Sequence, residues 1–143
     1  MRVGLVACSA SKLDHAAPAR ELYSSQLFRK ASAYAAATCD QWFILSALHG
    51  LVAPESVLQP YDVRLGQLSP AERAQWRLNV SYQLQQQLGG ASADVQLVAL
   101  AGADYRGVLD LLPWPAEIPM QGLGIGQQLG FLTRELRQLG AAA

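Results

Sequence analysis

His49, Tyr61 and Asp62 fall within one stretch, ILSALHGLVAPESVLQPYD (Ile44–Asp62), and His49 is one of only two histidines in the chain. An imidazole, a phenol and a carboxylate can between them move protons, stack on a flat ring and orient water. Ser46 and Gly50 flank the histidine, and Gly50 permits a turn with positive φ. Taken plainly, the same residues are a tyrosine packing a loop, a carboxylate accepting turn hydrogen bonds and a structural histidine.

Four further clusters carry chemistry-bearing groups. ACSASK places Ser9, Ser11 and Lys12 after an apolar run, and lysine occurs only twice in the chain. Small residues let backbone N–H groups face a cleft, and the lysine can neutralise a phosphate or act as an amine nucleophile. Cys8 reads better as a small packed residue than as a nucleophile, because no base stands near it in sequence. PARELY supplies Arg20, which could grip phosphate or a planar base with Glu21 buttressing it; the alternative is a solvated pair of little energetic consequence. AGADYR brings Gly102, Tyr105 and Arg106, with Asp104 favouring a helix N-terminus. GLGIGQQ sets Gly124, Gly126 and Gln127 ahead of a helix, as in a phosphate loop, without GxGxxG spacing or a Walker lysine. In that loop Gln127 or Gln128 could read a polar ligand.

The elements that must position these clusters alternate. RVGLVA and QWFILSA read as buried strands, and DVQLVALAG as a third. AEIPM suggests a short fourth. Between the first two, Pro18 should block early helix formation, and helical spacing begins at Ser24 with Leu27, Ala31, Tyr34 and Ala35. Ser69, Pro70 and Glu72 form a helix start with a capping box, and that helix should run to Leu88 and stop at Gly89–Gly90. ADYRGVLDLL reads as a short helix closed by Pro113, and a last amphipathic helix follows the glycine-rich turn. The GAAA tail reads as a frayed end.

Such alternation implies an α/β fold: a single three-layer α/β/α domain over residues 1–143, with a mainly parallel sheet of about four strands. Ligands of such sheets bind beyond the carboxyl ends of the strands. CSASK, SALHGL, AGADYR and QGLGIGQQ each follow a strand, so all four should converge on one edge.

Composition narrows the function classes. About half the residues are apolar and the formal net charge is zero, so the chain should be a compact globular protein, with no electrostatic case for coating DNA or a membrane surface. No run approaches the roughly 20 apolar residues of a membrane span, and the N-terminus is too short in apolar residues for a secretory signal. Cys8 and Cys39 form no disulfide framework and lack zinc-ligand spacing. The expectation is a cytoplasmic protein without metal, and no redox cofactor is demanded.

The segments CSASKLD, PARELYSSQLFRKASAYA, WFILSALHGLVAPESVLQPYDVRLGQLSPAERAQW, VALAGADYR and GLGIGQQLGFL resemble, across nearly the whole chain, a family of small uncharacterised bacterial and archaeal domains. The middle and third segments also resemble the peroxide-stress YaaA family. The first two are similar to the core of archaeosine synthases, in which a Cys-Ser…Lys motif precedes a Ser…His motif and a Tyr-Asp loop. This likeness implies DNA binding from one side, nucleobase modification from the other, and a fold related to the uracil-DNA glycosylase class. Lys12 and the Tyr61–Asp62 pair are the motif-matching positions. The chain departs in lacking the proline–tyrosine pair after the lysine, and YaaA-family members carry tyrosine at the position of His49.

The functional expectation is a nucleic-acid-associated enzyme acting on a nucleobase or its N-glycosidic bond. His49, Asp62 and Lys12 would be catalytic. The binding residues would be Ser9, Ser11, Arg20, Glu21, Ser46, Gly50, Tyr61, Gly102, Tyr105, Arg106, Gly124, Gly126 and Gln127. The partner would be DNA, more readily than RNA, or a nucleotide. Two alternatives use the same edge: a non-catalytic DNA-binding protein of the oxidative-stress response, and a small-nucleotide binder.

Overall fold

Alternation along the first strand decides the layering. In the computed structural model, which describes residues 1–140, Arg2–Ala7 forms β1. Val3 and Leu5 pack on one side of the sheet with Trp76, Val80 and Leu84. Val6 packs on the other with Phe28, Ala31, Leu132 and Leu136. Gly4 shares that second side, where an added Cβ would stand 3.0 Å from the Cβ of Ala35. The missing side chain lets the following helix lie close against the strand.

The chain then runs through β2 (Ala17–Pro18), the four-residue helix α1 (Ala19–Leu22) and α2 (Gln26–Thr38). Strand β3 (Gln41–Ser46) leads into β4 (Gly50–Val52) and β5 (Val57–Leu58). The long helix α3 (Pro70–Leu88) precedes β6 (Gln96–Leu100). After the single turn α4 (Ala103–Arg106) come β7 (Ala116–Glu117) and α5 (Ile125–Gln138). The sheet order is β4-β3-β1-β6-β7, parallel throughout except for β4, which pairs antiparallel with β3. Helices α2 and α5 cover one face and α3 the other, giving three layers as the alternation implies.

The helix boundaries follow their capping chemistry. The Ser69 hydroxyl accepts from the Glu72 amide at 3.1 Å, and the Glu72 carboxylate accepts from the Ser69 amide at 2.9 Å. Pro70 occupies the first helical position, and Gly89 ends the helix at φ +96. Ser25 caps α2 by accepting from the Phe28 amide, which sets Phe28, Ala31, Tyr34 and Ala35 as the buried face. Leu27, expected in that stripe, is only half-buried.

Three features differ from the expectation. The sheet has five strands because the segment after β3 folds back through Gly50, at φ +72, into an antiparallel edge strand. Pro18 does not delay helix formation: α1 starts at the next residue, since the proline's φ of −53 leads readily into a helical turn. The segment ADYRGVLDLL divides into α4 and a 3₁₀ turn at Gly107–Leu111. The expectation of a frayed tail falls mainly on residues 141–143, outside the described residues. Among the described residues, no helix is long and apolar enough to cross a membrane.

Candidate functional site

The three central parallel strands stop in register: Val6 of β1 pairs with Ile44 of β3 and with Leu100 of β6. The chain leaving each one therefore emerges at the same edge. The loop after β1 is tied to the loop after β3 by the β2–β5 pairing, by the Ala19 amide donating to Ser56 O, and by the Arg20 amide donating to Pro54 O. These backbone bonds hold two otherwise irregular segments as one wall.

Inside that wall is a chain of hydroxyls. The Tyr61 hydroxyl lies 2.6 Å from Ser46 Oγ and 2.6 Å from the Tyr23 hydroxyl. Ser46 is fully buried; its Oγ accepts the His49 amide at 3.0 Å and its carbonyl accepts the Trp76 indole N–H at 2.9 Å. The His49 ring meets Tyr61 edge-on at 5.3 Å, and Lys12 Nζ stands 4.4 Å from the Tyr61 ring centroid, a cation–π distance. Burial pushes the phenols of Tyr61 and Tyr23 upward, and the nearby Cys8 adds to the effect. Both therefore stay protonated at neutral pH, acting as hydrogen-bond partners to neighbours within the wall.

Next to this cluster, beyond the ends of β1 and β6, a pocket of about 430 Å³ opens. Its floor is apolar: Val6, Phe28, Ala31, Leu100 and Met120. Its polar lining consists of Ser9, Ser25, Asp104, Tyr105, Arg106 and Gln128, with Cys8 between the two regions. Cys8 Sγ lies 3.3 Å from the Tyr105 hydroxyl, and the Tyr105 ring meets Trp76 edge-on at 5.6 Å. Burial, then the neighbouring Cys8, raises the Tyr105 phenol well above the ordinary tyrosine value.

The expected single cleft is thus two adjoining regions. Lys12, Ser46, His49 and Tyr61 meet in the hydroxyl cluster, while Ser9, Gly102, Tyr105 and Arg106 line the pocket. Tyr61 is enclosed by Lys12, His49 and Tyr23, so its ring is not an open stacking platform. Asp62 is exposed, joins no ion pair among the described residues and does not line the pocket.

Ser11 is exposed, and its carbonyl accepts from Ser9 Oγ at 2.8 Å. Arg20 and Glu21 are exposed neighbours on α1, form no ion pair with each other and stand away from the pocket lining, so the expected buttress is not formed; adjacent helical residues point apart. Gly50 turns the β3–β4 hairpin, with its neighbour Leu51 donating to Gln83 Oε1. Gly124 precedes α5 with ordinary φ, its amide donating to Gln127 Oε1 at 3.0 Å. That bond turns Gln127 back onto the helix end, and Gln128 lines the pocket in its place. Gly126 is exposed and lies outside the lining.

Sequence reasoning passed over Tyr23, Cys8 as the joint between regions, and Asp104 as a pocket carboxylate. The signal for Tyr23 was an aromatic just before the Ser24–Ser25 helix start, in a loop already rich in site candidates. Cys8 lacked a partner only along the sequence; its partner Tyr105 comes from the other side of β1. No group of three or more His, Cys, Asp or Glu side chains placed to hold a metal occurs among the described residues.

The chain is similar to the uncharacterized protein YfjM of Bacillus subtilis (strain 168), with 28% identity over 153 residues covering 96% of each. Residues 3–134, from β1 to within α5, match a family of unknown function, DUF6884, and the chain belongs to that family.

Proposed function

We propose that the protein is a nucleic-acid-associated enzyme that acts on a nucleobase or its N-glycosidic bond, with the base held in the pocket beyond β1 and β6. The observation that carries this reading is the pocket itself, 430 Å³ with an apolar floor and a polar mouth at the carboxyl ends of parallel strands. Small-ligand pockets run from about 300 to 1,000 Å³, and this edge is where such sheets bind ligands. Phe28, Leu100 and Met120 offer apolar surface to a flat ring.

The chemistry follows from the groups that line it. Water adds to the anomeric carbon as the carbon–nitrogen bond breaks; the base departs with the bonding electrons and takes up the proton that the water gives up. Asp104 orients the water and stabilises the positive sugar, a role carboxylates fill in glycoside cleavage. Gly66, which lacks a side chain, leaves room for that carboxylate: a Cβ there would lie 3.0 Å from Asp104 Oδ2. Tyr105 keeps its proton and hydrogen-bonds the departing base. Lys12 stands on the adjoining rim, where it engages phosphate of the flanking strand.

The test is base release. DNA and RNA carrying normal, oxidised and hypermodified bases are incubated with the protein, and freed bases are read by mass spectrometry. Release lost in Asp104→Asn supports the reading. Absence of release across the panel, with salt-sensitive DNA binding intact, would replace it with the non-catalytic binding protein.

A further inference from the structure

The pocket is not polar all round. Its floor consists of buried hydrophobic side chains, so a ring placed there meets no charged group. Its two charged groups, Asp104 and Arg106, both belong to α4. They are two residues apart, a spacing at which helical side chains do not face each other. Neither is in an ion pair among the described residues, where the only arginine ion pair joins Arg2 to Glu117. The Asp104 carboxylate instead lies over Gly66. Arg106 is therefore a lining cation without an ion-pair partner among the described residues, in a pocket whose floor is apolar. The thirteen-residue α2 also begins at this pocket, with Ser25 and Leu27 in the lining, and its N-terminal dipole adds to the positive potential.

We infer that the pocket takes a phosphorylated nucleoside, with the ring on the floor formed by Phe28, Leu100 and Met120 and the phosphate on Arg106. This deepens the reading of the pocket as the nucleobase site and rests on it. A neutral nucleoside fills the floor but leaves the guanidinium without a partner. A phosphate satisfies it through two parallel charge-assisted hydrogen bonds. The same chemistry is offered by a free nucleotide and by one unit of a strand.

Calorimetric titration separates these cases. The wild type, Arg106→Gln and Gly102→Leu are titrated with nucleosides, their 5′-monophosphates, inorganic phosphate, and short single-stranded DNA and RNA. Gly102 lines the pocket, has ordinary φ, and an added Cβ meets no atom within 4 Å, so leucine fills the mouth without disturbing the fold. Circular dichroism checks that each variant is folded. The expected result is a monophosphate binding about tenfold or more tighter than its nucleoside. Arg106→Gln closes that gap to about twofold, and Gly102→Leu weakens both ligands. Tighter binding of an oligonucleotide than of any monophosphate names a strand as the source, whereas binding of monophosphates alone names a free nucleotide; either supports the inference. Equal affinity for nucleoside and monophosphate, or inorganic phosphate binding as tightly as the nucleotide, overturns it while leaving the pocket reading standing in the first case. Binding of no ligand by the folded wild type removes the pocket reading along with the inference.

Discussion

The hydroxyls of Tyr23, Tyr61 and Ser46 direct their hydrogen bonds to one another, closed in by Lys12 and His49. Close by, Asp104 and Arg106 line an open space and join no ion pair among the described residues. Both regions are built from loops leaving the same parallel edge, and both include residues whose types suggest catalysis. The contrast teaches that residue type alone does not mark a reactive site. A histidine, a lysine and a tyrosine brought together can build a wall, and the groups facing a cavity can be ones whose types drew less notice.

Removing Trp76 should have the largest effect, because it touches both regions, through Ser46 O on one side and the Tyr105 ring on the other. Trp76→Ala should lower stability by about 3–5 kcal/mol in urea unfolding, the cost of emptying a buried aromatic position. Next, Asp104→Asn should reduce base release by a factor of about 100 with little change in stability, as for loss of a positioned acid–base group. A smaller effect belongs to the wall. Ser46→Ala takes one partner from the part-buried Tyr61 hydroxyl, which keeps Tyr23, and the only one from the His49 amide, and should cost about 1 kcal/mol in the same unfolding assay.

How far the sequence led depends on how local each determinant is. The boundaries of α3 were legible because Ser69, Pro70, Glu72 and Gly89 each act within a turn or so of the backbone they cap. The parallel core was legible from three apolar runs. The β4 edge strand was not, since only three residues pair and Gly50 reads equally well as a simple turn. The division of the edge into cluster and pocket was hidden for a different reason. Cys8 meets Tyr105, and Ser46 meets Tyr61 and Trp76, only after separate loops are packed together. Sequence order placed His49 and Asp62 near each other, and both are exposed, but only His49 is tied to the cluster, through its amide on Ser46 Oγ and its ring against Tyr61.

Alkaline titration sharpens the comparison further. Tyr23, Tyr61 and Tyr105 all have folded values above the ordinary tyrosine value of about 10. The unfolded chain therefore releases these protons first, and stability, fully present below about pH 10, falls as pH rises above it. The urea midpoint should decline more steeply in the wild type than in Tyr61→Phe or Tyr105→Phe over that range. The smallest effect is expected at Lys12. Lys12→Met removes a cation–π contact worth about 0.5–1 kcal/mol at a partly exposed site and, through lost phosphate contact, reduces the salt slope of oligonucleotide binding by about one. Mononucleotide affinity should not change, because Lys12 does not line the pocket.

The most direct measurement is a chemical-shift titration of isotopically labelled protein with a nucleoside monophosphate. The account predicts shifts concentrated at Gly102, Asp104, Gly122 and Gln128 around the pocket mouth, with the amides of Ser46 and His49 unmoved. Shifts centred on Ser46, His49 and Tyr61, with the pocket residues silent, would contradict it.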